Sequence, residues 1–216
     1  MSEQCFSMEK VIEVTNISKT FSGRKVLDNV SISVQRGSIC GLVGRNGCGK
    51  TVLMKCICGF IVPEIGQIKL FGKKVSRKKM PTDNMGIIIE NPGFMEDETA
   101  MKNLQYLAKL NNHIEKKQVE KTIIRVGLDP KEKKKVKNYS LGMRQRLAIA
   151  QAIMEEQDVI ILDEPMNGLD IEGVKQVRQL LLASHNSEDI RHLCDKVYRM
   201  DAGKIIDKYS SDGFDI

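Results

Sequence analysis

A chain of 216 residues has room for one domain with a sizeable core, and two would be cramped. With 41% hydrophobic and 29% charged residues, its composition is ordinary for a globular protein. The formal charge of +6 suits a protein that handles a polyphosphate or lies near anionic lipid, and is too small and diffuse to argue for nucleic acid. No apolar run approaches the roughly 20 residues needed to cross a bilayer. Residues 1–5 lack the basic-then-apolar layout of a secretory leader, so a membrane role is expected only through another subunit. The cysteines Cys5, Cys40, Cys48, Cys56, Cys58 and Cys194 fit no disulfide framework, and Cys56 and Cys58 form C-x-C without a zinc ribbon's paired C-x-x-C. Reduced thiols are expected.

In chain order, residues 11–17 are apolar-rich, and Val30, Ile32 and Val34 alternate with Ser31, Ser33 and Gln35. That period of two predicts a half-buried antiparallel strand. Residues 39–43 are apolar and run straight into a glycine-rich turn, followed by helical composition from Lys50 to Cys58 that stops at Gly59. A strand at 86–89, helices at 101–111 and 119–126, and a long helix at 141–154 follow. The unbroken apolar run 159–162 reads as a parallel strand buried on both faces. Early antiparallel strands followed by alternating strands and helices indicate an α/β layered domain with a mixed sheet. The lysine-rich stretch 131–137 is either a solvated loop or a contact for anionic headgroups.

Gly44, Arg45, Asn46, Gly47, Cys48, Gly49, Lys50 and Thr51 fit G-x-x-x-x-G-K-[ST], with a strand before and a helix after, as a phosphate-binding loop requires. Glycines let successive N–H groups converge on phosphate oxygens, and the helix N-terminus adds partial positive charge. Lys50 is expected on the outer phosphates and the Thr51 hydroxyl on Mg²⁺; Val52 completes the expected nucleotide contacts. Cys48 is either a small residue tolerated in the loop or a thiol activated by the helix end. A second motif follows at 159–164, where four apolar residues precede Asp163 and Glu164. Asp163 is expected at the strand's carboxyl end holding Mg²⁺ through water, and Glu164 to polarise an attacking water as general base.

Between them lie Tyr139, Ser140, Leu141, Gly142, Met143, Arg144, Gln145 and Arg146. Ser140 caps the long helix, and Gly142 leaves backbone amides open at an anion-binding end. This segment is similar to the signature sequence of ABC transporter ATPases, in the S-L-G-M-[RK]-Q-R form of peptide- and drug-export members. The resemblance spans roughly residues 11–206. It implies a P-loop NTPase fold of ABC ATPase type: one domain over 1–216, with an N-terminal antiparallel β subdomain and a helical subdomain over about 92–155 carrying the signature. It also implies that Ser140, Gly142 and Met143 close over ATP held by an opposite subunit, in a head-to-tail dimer of like or unlike subunits.

Further features carry over from the resemblance. Phe21 resembles the aromatic that stacks on adenine, with a core phenylalanine as the competing reading. Asn167, Gly168, Leu169 and Asp170 look like the loop that crosses the dimer interface, and His185 like the switch histidine at the γ-phosphate. Glu90 stands where the family usually has glutamine. In the context Ile89-Glu90-Asn91-Pro92 it resembles the bacitracin- and lantibiotic-exporter branch, and it is expected to ligate Mg²⁺ or water and, with the loop after it, to touch a membrane subunit. The implied function is an ATP- and Mg²⁺-dependent ATPase that drives a separate membrane permease from the cytoplasmic face of the cell membrane, with an antimicrobial peptide or drug as cargo. Relatives acting on ribosomes or DNA carry tandem cassettes or long coiled-coil insertions; with neither here, no nucleic-acid partner is expected.

One departure concerns the fifteen steps from Asp170 to His185. A helix, a turn and a returning strand between two points on the same sheet edge call for on the order of 25 residues. The strand that carries His185 is therefore expected to be cut short and hydrolysis to be weak, which leaves a nucleotide-binding regulatory subunit as the alternative.

Overall fold

In the computed structural model, which describes residues 9–76, 85–90, 92–111, 114–164, 180–185, 190 and 193–210, the chain opens with a long antiparallel hairpin. Its arms are β1 (Lys10–Phe21) and β2 (Arg24–Gln35). β4 (Ile65–Leu70) pairs with the other edge of β1, and the short β5 (Lys73–Lys74) follows it, giving the sheet order β2-β1-β4-β5. The second sheet has six strands in the order β10-β9-β3-β8-β7-β6. Here β3 is Ile39–Val43, β6 Met85–Ile88, β7 Val159–Asp163, β8 Leu180–Ser184, β9 Lys196–Asp201 and β10 Lys204–Ser210. Its pairings are parallel except for β10, which runs antiparallel along β9. The helices are α1 (Lys50–Ile57), α2 (Ala100–Asn111), α3 (Lys116–Arg125) and α4 (Leu141–Ile153). None of the described helices is long and apolar enough to cross a membrane.

The parallel strands separate two cores. Leu180 and Leu182 of β8, with Ile160 and Leu162 of β7, face a cluster built by α2, α3 and α4. Leu181 and Ala183, with Val159 and Ile161, face a second cluster that joins α1 to the antiparallel hairpin. A strand that supplies both cores must be apolar at every position, and this produces the unbroken runs. Tyr198 of β9 ties the sheets together: its hydroxyl accepts from the Ser33 amide at 3.0 Å and donates to the Ser33 carbonyl at 3.2 Å.

The expectation of a shortened strand before His185 is not met. β8 has five fully buried residues, paired in parallel with β3 on one side and β7 on the other. The residues from Asp170 to Gln179, whose small number prompted that expectation, lie outside the described residues. Asn167, Gly168, Leu169 and Asp170 lie outside the described residues, as do Cys5 and Asn91. The five described cysteines are free and buried, and burial pushes the Cys40, Cys56 and Cys58 thiols up to about 12.

In β6, a Cβ on Gly86 would run into the carbonyl of Ala152 in α4. Gly86→Ala must push the helix off the sheet, and it is expected to lower stability by about 1–3 kcal/mol. In urea unfolding the midpoint should fall with its slope unchanged; an unchanged midpoint would mean that α4 yields freely there.

Candidate functional site

The phosphate loop begins where β3 ends, and α1 starts at Lys50. Gly49 precedes the helix at φ 111°, a left-handed setting that β-carbon sterics disfavour. A Cβ there would also stand 2.8 Å from the Val26 carbonyl and from the Met200 methyl. The loop is held from behind by the β9–β10 turn, where the Gly203 amide donates to the Cys48 carbonyl at 2.9 Å and the Gly203 carbonyl accepts from Asp28 at 2.9 Å. Cys48 is buried at 5% exposure, which fits the small-residue reading. Lys50 is also buried, and its ammonium donates to the carbonyls of Gly44 at 2.6 Å and Arg45 at 3.3 Å. Val26, Asn46, Gly47, Gly49, Lys50, Thr51, Val52 and Glu164 line a cavity of about 240 Å³ over this loop.

The two acids leave β7 in different directions. Asp163 is the last strand residue and accepts from the Thr51 hydroxyl at 2.6 Å. Glu164 has φ 51°, so the chain turns sharply just beyond the strand. Its amide donates to the Ala183 carbonyl of β8 at 2.9 Å. Its carboxylate lies 3.5 Å from the Lys50 ammonium and 2.7 Å from His185 Nδ1, with the His185 amide donating to it at 3.3 Å. Asp163 Oδ1 and Glu164 Oε1 are buried and accept no hydrogen bond. Asp163 Oδ1, an orphaned acceptor beside the Thr51 hydroxyl, fits a hard divalent cation, whereas Glu164 Oε1 already faces the Lys50 ammonium at 3.5 Å. Among the described residues no group of three or more His, Cys, Asp or Glu is gathered as a metal cage.

Glu90 also has a left-handed backbone, φ 65°, and its exposed carboxylate accepts from Lys55 of α1 at 2.6 Å. It lines a larger groove of about 590 Å³ with Pro92, Phe94, Leu141, Arg144, Asp163 and Glu164 among the walls. The groove's outer loop is pinned in two places. Arg144 of α4 grips Glu96 with both guanidinium nitrogens, at 2.6 and 3.0 Å. Buried Asn103 donates to the carbonyls of Met95 and Thr99 and accepts from the Met95 amide.

Ser140 caps α4 as expected, its hydroxyl accepting from the Met143 amide at 3.2 Å. Ser140, Gly142 and Met143 do not line the phosphate cavity of their own chain. Phe21 is 41% exposed at the tip of the hairpin, which removes the core reading, and the Lys19 ammonium lies 5.2 Å from its ring centre. The sequence carries no signal for Val26, Met200 or Gly203, which brace the loop from β2, β9 and the β9–β10 turn.

Burial raises the Asp163 carboxyl above its ordinary value of 3.8, against the Thr51 hydrogen bond and with added repulsion from Glu164. A folded value above the unfolded one gives stability that is fully present below about pH 3.8 and is lost as pH rises through the folded value. Ionised Asp163 thus destabilises the fold at neutral pH. Asp163→Asn is expected to raise the urea midpoint at pH 7, with the gain shrinking toward pH 4; a lower midpoint at pH 7 would show that the Thr51 bond outweighs desolvation.

The family model described as "ABC transporter" matches residues 27–167. The bacitracin transport ATP-binding protein BcrA of Enterococcus faecalis is 39% identical over 215 residues, covering 93% of this chain and 70% of that protein. The lantibiotic transport ATP-binding protein SrtF of Streptococcus pyogenes is 30% identical, covering 94% and 92%. Among solved structures, cbiO1 of Clostridium perfringens, part of the ABC transporter complex cbiONQ, superposes with a TM-score of 0.80 at 25% identity, covering 94% of this chain and 90% of its own. A dimeric ATP-binding cassette in a post-hydrolysis state with ADP and phosphate shares the fold at a TM-score of 0.83 and 18% identity, covering 94% and 100%. With the phosphate loop, the paired acids and the capped signature helix in one α/β frame, the chain belongs to the ABC transporter family as an ATP-binding, ATP-hydrolysing subunit.

Proposed function

We propose that this subunit binds ATP with Mg²⁺, pairs head-to-tail with a second ATPase subunit, and powers a separate membrane permease that exports or clears an antimicrobial peptide. The contact of Glu164 with both Lys50 and His185, beside the Thr51–Asp163 bond, carries the reading. Lys50 exchanges its loop carbonyls for the outer phosphates. Thr51, Asp163 and Glu90 would hold the cation, which would supply positive charge to offset that of the phosphates. Glu164, released from Lys50 once phosphate takes its place, orients and deprotonates the attacking water, while His185 holds the glutamate in position. Phe21 offers its exposed face to adenine. Ser140, Gly142 and Met143 lie off their own phosphate cavity, which suits a role in completing the site of a second subunit. The cargo reading rests on the similarity to BcrA and SrtF and on Glu90.

The groove between Glu90 and Arg144 is the proposed seat of the permease, since its apolar wall at Pro92, Phe94 and Leu141 is rimmed by fixed charges. Docking there would place the subunit on the cytoplasmic face of the cell membrane.

Glu164→Gln is expected to slow ATP turnover by on the order of a hundredfold or more while retaining ATP binding and stabilising an ATP-dependent dimer in gel filtration. Unchanged turnover would remove Glu164 as the base. Separately, Phe94→Asp should abolish co-purification with the permease and leave the ATP affinity of the isolated subunit intact; retained co-purification would place the docking seat elsewhere.

A further inference from the structure

The net charge of the chain is unevenly placed. Residues 92–155 carry thirteen Lys and Arg against eight Asp and Glu, so five of the six formal positive charges reside there. Within this segment, residues 131–135 are all exposed, and four of them are lysines. The neighbouring acids keep their charge but are oriented elsewhere. Asp129 accepts from the Lys131 amide at 2.8 Å, and Glu132 from the Lys134 amide at 3.0 Å. Asp97 takes up Lys137 at 2.6 Å and Lys135 at 3.8 Å. The ammonium groups of Lys131, Lys133 and Lys134 have no carboxylate within ion-pair distance among the described residues.

This loop is fixed to the wall of the large groove. Val136 and Lys137 donate their amides to the carbonyls of Glu98 and Glu96, both at 2.9 Å, and Thr99 bridges Lys135. Val136 is fully buried and anchors the loop to the α2–α4 core. The lysines therefore project from a braced platform beside Phe94 and Glu96, next to the proposed seat of the permease.

We infer that Lys131, Lys133 and Lys134 form an electrostatic foot that rests on anionic phospholipid headgroups of the bilayer beside the permease. Lysines are compact, strongly hydrated point charges on flexible stems, suited to a diffuse sheet of phosphates, whereas a fixed carboxylate partner is better matched by the planar fork of arginine. The position of the foot rests on the proposed docking groove, but its affinity for lipid does not, so the two fail separately.

Each lysine near an anionic surface strengthens binding several-fold, so three together should contribute roughly a hundredfold to membrane partitioning, falling steeply with salt. The test is co-sedimentation of the full chain with vesicles of equal parts phosphatidylglycerol and phosphatidylcholine, against vesicles of phosphatidylcholine alone. The wild-type subunit should pellet with the anionic vesicles only. The triple variant Lys131→Gln, Lys133→Gln, Lys134→Gln should stay in the supernatant with unchanged ATP turnover, and the corresponding triple arginine variant should pellet. Equal pelleting of the wild type and the glutamine variant, or no pelleting of the wild type at low salt, overturns the proposal. Loss of permease co-purification in detergent by the glutamine variant, without any vesicle binding by the wild type, would instead assign the foot to an acidic permease segment.

Discussion

The hydrogen bond from the Thr51 hydroxyl to Asp163 joins two segments 112 residues apart, and the rest of the site is arranged around it. It forms because β8 separates β3 from β7 in a parallel sheet, so both outer strands release their chains at the same edge. β3 delivers the phosphate loop and β7 the paired acids, while β8 delivers His185 between them. Parallel pairing is the constraint behind this convergence, because it brings three carboxyl ends together without a long loop to carry any side chain across. The apolar runs that look uninformative for chemistry are thus what brings the chemistry to one place.

Among the described residues three carboxylates lie near that edge, and each is managed differently. Asp163 is buried with a single hydroxyl donor, which leaves its carboxyl raised above the ordinary value and one oxygen unpaired. Glu164 is shared between a buried lysine and an imidazole. Glu90 is exposed and paired with Lys55, on the same helix as the phosphate-loop threonine. Acceptors outnumber donors at this edge, an imbalance that a divalent cation would offset. Left-handed backbones at Glu90 and Glu164 belong to the same design, since such strain persists only where surrounding structure over-determines it.

What the sequence made legible follows from how local each signal is. The phosphate loop, the signature cap and the acid pair are contiguous motifs whose chemistry depends on spacing alone, and β3, α1, α4 and β7 were readable within a residue or two. β9 and β10 escaped notice because charged residues interrupt their apolar pattern, and β10 is an edge strand with most of its side chains in water. β4 contains Gly66 and β5 is two lysines, so neither carries a strand signature. The bracing of the phosphate loop by Gly203 and Met200 is a tertiary contact, and no pattern along the chain encodes it.

The length of the β7–β8 crossover shows where reasoning from spacing needs a second constraint. Counting residues between two functional positions presumes that both lie at the same level of the sheet, and the pattern along the chain sets that level only for His185, which follows four apolar residues and a serine. The register of β8 supplies the missing datum. Leu180 stands opposite Ile39, the first residue of β3, and Ile160, the second of β7, and Ser184 stands opposite Val43 at the end of β3. A strand in full register on both sides has not been shortened, whatever precedes it. The placement of His185 against Glu164 follows from that register, because the Ala183 carbonyl receives the Glu164 amide one residue before the strand ends. The contact between Glu164 and His185 is thus set by strand pairing across the sheet.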